Sequence, residues 1–189
     1  MDLRCFVAVE IPGSVRRSIG DIIEILKKTG ADVKWVHYEN IHITMKFLGA
    51  TRESLVETIK DALIKKLSPY NPFYIKISGI GCFPDTRRPR VIWVGIEDSD
   101  LIKNLQRDVE DEMVKLDYPA ENRAFSPHLT IGRVRSPKRM TEMLKRLNEF
   151  STLTFENIEI NGITLMKSEL NPAGAKYYTL AEIPFGRRN

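Results

Sequence analysis

Cysteine is nearly absent: Cys5 and Cys82 are the only two, far apart and each among apolar neighbours. A disulfide framework and a four-thiolate metal site are thereby excluded, and a reducing cytosol fits. No apolar run approaches the roughly 18 residues of a membrane span. Met1 to Ile11 carry Asp2, Arg4 and Glu10 in place of a signal-peptide core, so a cytoplasmic chain with no membrane partner is expected. There is no low-complexity tract and no Gly/Ser linker. A phosphate-cradling G-x-x-x-x-G-K-[ST] loop and a G-x-S-x-G nucleophile elbow are both missing. Glutamine occurs once, at Gln106, which leans towards a thermophile because amide side chains are thermolabile. Histidine occurs only three times.

What is present suffices for a folded core. The chain has 189 residues, 42% hydrophobic and 29% charged. That balance excludes wholesale disorder. The excess of 29 basic over 25 acidic residues leaves +4 and a pI near 9.0, which suits an acidic partner.

Strand and helix patterns alternate. RCFVAVEI (4–11) reads as a strand stopped by Pro12-Gly13. Ser14 is then expected as N-cap of a helix carrying Val15, Ile19, Ile22, Ile23 and Leu26, ended by Gly30. Residues 33–36 and 41–48 read as extended, with Gly49 closing the run. A second helix carries Leu55, Ile59, Ala62, Leu63 and Leu67. Strands at 73–80 and 90–96 flank a Pro- and Arg-rich loop. The order then repeats: a helix capped by Asp100 with Ile102, Leu105, Val109, Met113 and Leu116, a loop over 117–127, a strand at 128–134, and a helix with Met140, Met143, Leu144, Leu147 and Phe150. Strands near 158–160, 163–167 and 177–183 close the chain. The expected fold is α+β. One bilobal duplicated domain spans 1–189, with halves at about 1–84 and 85–189. Two antiparallel or mixed sheets, with helices on their outer faces, would surround a central cleft. A terminal strand can cross between the lobes.

Each half holds one His-x-Thr strand: His42-Ile43-Thr44-Met45, and His128-Leu129-Thr130-Ile131 after Pro127. Alternation in a strand puts His42 with Thr44 on one face and His128 with Thr130 on one face. A half-buried strand needs only polar–apolar alternation. It does not need histidine then threonine twice at matching places. Two imidazoles and two hydroxyls suit acid–base attack at phosphorus. One ring takes the nucleophile's proton and the other protonates the leaving oxygen, while the hydroxyls bond non-bridging oxygens. Zinc is a poor alternative, because threonine is an unlikely ligand and no third histidine or carboxylate shares the spacing. No metal and no other cofactor is expected.

HITMKFLG after Trp35-Val36, together with FSPHLTIGRV, resembles the RNA 2′,3′-cyclic phosphodiesterases, also called 2′-5′ RNA ligases. These belong to the 2H phosphoesterase superfamily, named for its two HxTx motifs. The resemblance runs from FVAVEIP to LMKSELNPAGAKYYTL. It implies a bilobal fold with one motif from each lobe facing a cleft. It also implies conversion of an RNA 2′,3′-cyclic phosphate to a 2′-phosphate, and joining of a 5′-hydroxyl RNA through a 2′-5′ bond without a nucleotide cofactor. His42 would then protonate the departing 3′ oxygen and His128 would activate water. The implied partner is RNA with a cyclic phosphate end, including tRNA fragments, with no obligate protein partner.

Further residues are candidates. Arg133 follows the second motif and suits phosphate, but strict alternation turns it away from His128 unless the strand twists or bulges. Lys46 has the parity of His42 and Thr44. Phe83 with Arg87, Arg88 and Arg90 forms a loop suited to an RNA end, by stacking and phosphate contact. Ser168 lies in the tail segment, as cleft hydroxyl or structural hydrogen bond. The run 133–139 and Arg187-Arg188 are further basic stretches. His37 reads as a bystander, and Trp35 and Trp93 as core aromatics. Two other readings stay open: a phosphodiesterase for a small cyclic nucleotide or 2′-5′ oligonucleotide, and a non-catalytic RNA-binding module. The latter has no use for two intact His-x-Thr pairs.

Overall fold

Period-2 and period-3.6 patterns segregate the chain into nine strands and four helices in the computed structural model, which describes residues 2–97, 99–172 and 174–186. The strands are β1 (Asp2–Glu10), β2 (Val33–Trp35), β3 (His42–Arg52), β4 (Phe73–Phe83), β5 (Val91–Ile96), β6 (His128–Val134), β7 (Thr154–Ile160), β8 (Gly162–Asn171) and β9 (Gly174–Pro184). The helices are α1 (Gly13–Lys27), α2 (Val56–Leu67), α3 (Asp100–Lys115) and α4 (Met140–Asn148). The two expected sheets are one curled sheet, in the order β7-β4-β5-β6-β3-β1-β8-β9 with β2 paired to β6. Every pairing among the described residues is antiparallel, so the mixed alternative does not occur.

The sheet falls into matching halves, β7-β4-β5-β6 and β3-β1-β8-β9, joined where Ile43 faces Leu129. Strands are exchanged between the sequence halves. β4 leaves the first half to pair with β5, and β8, with β9 beside it, leaves the second to pair with β1. Helices follow the same symmetry, α2 packing on α3 and α1 on α4. The apolar stripes meet one face of the sheet in a single core, with Ile19, Ile23, Leu63, Leu105, Val109 and Met143 under Ile43, Val94 and Leu129. Burial of this kind contributes roughly 25 cal/mol per Å² of apolar surface. Among the described residues, the buried cluster on the other face is small, Phe6, Ala8 and Met166 with Tyr177, which leaves that face free to form a concave site. No described helix is long and apolar enough to cross a membrane.

Local endings differ from the expectations in informative ways. The first helix starts two residues early, at Gly13 after Pro12, and Ser14 is not its cap; the Ser14 hydroxyl donates to Glu156 on β7 at 2.6 Å. Asp100 sits inside the first turn of α3, preceded by Ser99, where a carboxylate favours the helix dipole without capping it. Gly49 does not close its strand. Its φ of +70° is a conformation that glycine adopts without strain, and β3 continues through it to Arg52. Phe150 lies beyond α4, and Arg187-Arg188 lie outside the described residues.

Candidate active site

The single paired contact Ile43↔Leu129 fixes the site. In an antiparallel ladder around it, His42 stands across from Thr130, and Thr44 across from His128. Ile43 and Leu129 are fully buried towards the helices. The four polar side chains therefore share the opposite, concave face.

Each imidazole is oriented from behind by a carbonyl two residues back. His42 Nδ1 lies 2.8 Å from the Asn40 oxygen, and His128 Nδ1 lies 2.8 Å from the Ser126 oxygen. A carbonyl can only accept, so both Nδ1 atoms carry hydrogen and both Nε2 atoms are left for chemistry. Asn40 is itself anchored, its Nδ2 donating to the Ala175 oxygen at 2.8 Å. The Thr44 hydroxyl lies 3.0 Å from His42 Nε2.

The surroundings of the two rings differ. His42 is half-buried against Phe6 (centroids 4.9 Å apart) and the edge of Tyr177 (5.3 Å). Burial pushes its pKa below the ordinary value; the Asn40 carbonyl opposes that, and the neighbouring His128 adds to it. His128 meets the edge of Phe83 at 5.2 Å, which places the Phe83 ring beside the second motif. Trp93 differs from the expected core aromatic. It pairs with Thr130 on the concave face and lies over Gly81, where a Cβ would come within 2.5 Å of the indole. Its buried Nε1 has no hydrogen-bond partner among the described residues. Trp35 is half-buried and packs on the core. His37 lies outside the pair, its ring against Tyr38.

One extra residue in each motif strand decides the rest. In β3 the ladder runs Ala8↔Thr44 then Val7↔Lys46, leaving Met45 over. In β6 it runs Trp93↔Thr130 then Ile92↔Gly132, leaving Ile131 over. A bulge of this kind reverses the parity beyond it. Arg133 is therefore brought to the face of His128 and Thr130, and is exposed. Lys46 is turned away from the site into the interior, its side chain 3% exposed and its ammonium 2.6 Å from Glu110. The expected contact of Lys46 with RNA is thus corrected: Phe47 takes its place on the concave face, 65% exposed with its ring centroid 6.2 Å from that of Phe6. Strand alternation alone misses Phe47, Tyr177 and Arg4. Burial raises the Tyr177 pKa against the opposing charges of Arg133 and Arg4, which draws those three residues into one electrostatic neighbourhood.

The remaining candidates form the rim. Asp85 Oδ1 accepts the amides of Arg87 and Arg88 at 2.7 and 3.1 Å, and Arg90 closes the loop on the Phe83 carbonyl at 2.7 Å. All three guanidinium side chains are exposed. The Arg90 oxygen accepts from Val134, so this loop borders Arg133. Ser168 pairs with Tyr177 on β9. A cavity of about 280 Å³ opens beside His42, lined by Arg16, Asn40, Met166, Lys176 and Tyr177 among others. Among the described residues, no three His, Cys, Asp or Glu side chains cluster in a way that could hold a metal ion.

A curled sheet with two His-x-Thr strands side by side, Nε2 atoms presented to one hollow, defines a two-histidine phosphoesterase. The family model of LigT-like phosphoesterases matches twice, over residues 9–93 and 94–177, and the chain belongs to that family, within the 2H phosphoesterase superfamily. It is 36% identical over 177 residues to the RNA 2′,3′-cyclic phosphodiesterase of Methanothermobacter thermautotrophicus, covering 94% of this chain and 96% of that one. It is 36% identical over 178 residues to that of Aquifex aeolicus, covering 90% and 93%. Among solved structures, the protein TT0787 of Thermus thermophilus superposes with TM-score 0.77 at 23% identity, over 96% of this chain and 97% of that one. Escherichia coli LigT complexed with 3′-AMP gives 0.73 at 20% identity, over 98% and 99%. These two likenesses bear on the fold.

Proposed function

We propose that this protein hydrolyses RNA 2′,3′-cyclic phosphate ends to 2′-phosphates, with His42 as general acid and His128 as general base. The observation that carries the reading is the pairing of two Nε2-presenting imidazoles on adjacent antiparallel strands, each with a threonine across from it. His128 Nε2 takes the proton of water as it attacks phosphorus. His42 Nε2–H delivers a proton to the departing 3′ oxygen, and the phosphate stays on the 2′ oxygen. The Thr44 and Thr130 hydroxyls and Arg133 hold the non-bridging oxygens, where charge grows in the transition state. Phe47 and Phe83 offer stacking surfaces on the two sides of the phosphate, with Arg87, Arg88 and Arg90 along the rim for the backbone and Ser168 beside Tyr177.

Burial favours neutral His42 in the free enzyme, whereas the acid role needs it protonated. The anionic phosphate restores the proton on binding, because an opposite charge nearby favours the charged form. With both proton transfers supplied by imidazoles, the step requires no metal. An RNA 5′-hydroxyl entering in place of water gives a 2′-5′ bond by the same displacement, without a nucleotide cofactor. Water at about 55 M outcompetes that hydroxyl unless the cleft orients the RNA, since orientation is worth several kcal/mol. Hydrolysis therefore dominates on simple oligonucleotides, tRNA fragments with cyclic ends being one source of substrate. The test is digestion of a short RNA with a 2′,3′-cyclic end in excess EDTA, followed by mapping of the phosphate. A 2′-phosphate with free 3′-hydroxyl is expected. Mainly 3′-phosphate would reverse the donor and acceptor, and activity lost to EDTA and restored by a divalent ion would overturn the metal-free step.

A further inference from the structure

The segment leading into each histidine is fixed to the motif strand of the other half, by different means. Ahead of His42, β2 forms a backbone ladder with β6: Val33↔Val134, Lys34↔Arg133 and Trp35↔Gly132. Glycine at 132 lets this strand close, since a Cβ there would lie 2.8 Å from Val33 Cγ1. Ahead of His128, residues 117–127 form no strand. The position in β3 that matches Gly132, two beyond the motif threonine, is Lys46. Its ammonium donates to Glu110 Oε1 at 2.6 Å and to the Pro119 oxygen at 2.8 Å. Glu110 Oε1 also accepts the Glu121 amide at 2.8 Å. The lysine side chain is 3% exposed and the glutamate 15%, so the pair belongs to the interior and no substrate reaches it. The segment it grips ends at Ser126, whose carbonyl orients His128.

We propose that Lys46 is a positioning residue for His128. Its buried pair with Glu110 does in one half what the β2 ladder does in the other, fixing residues 119–121 so that Ser126 holds the imidazole in register with the phosphate. This rests on the reading of His128 as a reacting group. A chain that is merely stabilised by the pair and a chain whose histidine is aimed by it behave differently once stability is restored. Replacing both buried charges with apolar groups tends to leave stability unharmed, whereas removing one strands the other.

The experiment compares Lys46→Met with Lys46→Met/Glu110→Leu in the full chain, by thermal melting and by steady-state hydrolysis of a cyclic-phosphate oligonucleotide. The single variant should melt lower. The double variant should recover its melting temperature and still lose about 10- to 100-fold in kcat, the scale of a misplacement near 1 Å. Its KM should stay within about threefold, because Lys46 touches no substrate. Parent kcat in a double variant of parent stability would overturn the proposal. If the double variant does not fold, Glu110→Gln and Glu110→Ala decide. The amide oxygen still accepts from Lys46 and Glu121, so Gln should retain kcat where Ala loses it. Parent kcat in both would overturn the proposal equally. His128→Ala is the control: full activity there would sink the phosphoesterase reading itself, a separate outcome.

Discussion

The two His-x-Thr strands follow the same backbone path, including a bulge one residue past the threonine, yet they deliver different chemistry. In β6 the bulge presents Arg133; in β3 it presents Phe47. One half thus offers charge to a phosphate and the other a flat apolar surface to a base. The rings diverge likewise: His42 is walled by Phe6 and Tyr177, while His128 stands against Phe83 alone among the described aromatics. Duplication supplies the spacing of two proton-transfer groups; the side chains packed around the first copy set which proton state His42 favours.

The comparison can be broken at the histidines first. His42→Ala and His128→Ala should each lower kcat by about 10²–10⁴, the range for one general acid or base, and the double variant should lose less than the product because the two act as a unit. Near-parent turnover by either single variant, in single-turnover or steady-state assay, would leave one copy without a role.

A smaller and sharper effect separates charge from stacking. Phe47→Ala should cost about 1–3 kcal/mol, the scale of a base–aromatic stack, mostly in KM for an oligonucleotide. Arg133→Met should instead lower kcat, because the guanidinium meets charge that grows in the transition state. Equal effects of both variants on KM alone would mean that the bulges do not divide the labour.

The smallest effect lies in the proton balance of His42. Its folded pKa lies below the ordinary 6.5, so between those values the folded chain binds fewer protons than the unfolded one. The resulting stability is present above about pH 6.5 and is lost as pH falls towards the folded value. His42→Asn should therefore flatten the acid-side decline of the melting temperature. Phosphate binding near pH 6.5 should take up a fraction of a proton in the parent and less in His42→Asn, read by calorimetry in buffers of different ionisation enthalpy.

Much of this is legible in the sequence because it depends on period alone. The faces of His42, Thr44, His128 and Thr130, the helical stripes and the duplicated order all follow from alternation and spacing. What alternation cannot reveal lies beyond each bulge, since one extra residue reverses every later side chain. Strict alternation therefore sends Lys46 to the cleft and Phe47 to the core, and the fold does the opposite. The arginine at 133 carries a signal of this kind, an exposed type on what strict parity makes the buried face. The joining of the expected two sheets into one, and the placement of Trp93 over Gly81, depend on contacts between the halves that no local pattern contains.

The exchange of β4 and β8 has a consequence for continuity of the chain. Each half of the sheet is stitched by a strand that the other half's sequence provides, so backbone connection and spatial cohesion are decoupled. A protease nick in the exposed loop at 84–90 would cut the polypeptide between β4 and β5 but leave those strands side by side, with β8 still seated on β1. The two fragments should travel as one particle through a sizing column and separate only in denaturant. The halves are thus complementary pieces of one whole, and the catalytic seam between them survives loss of the covalent link.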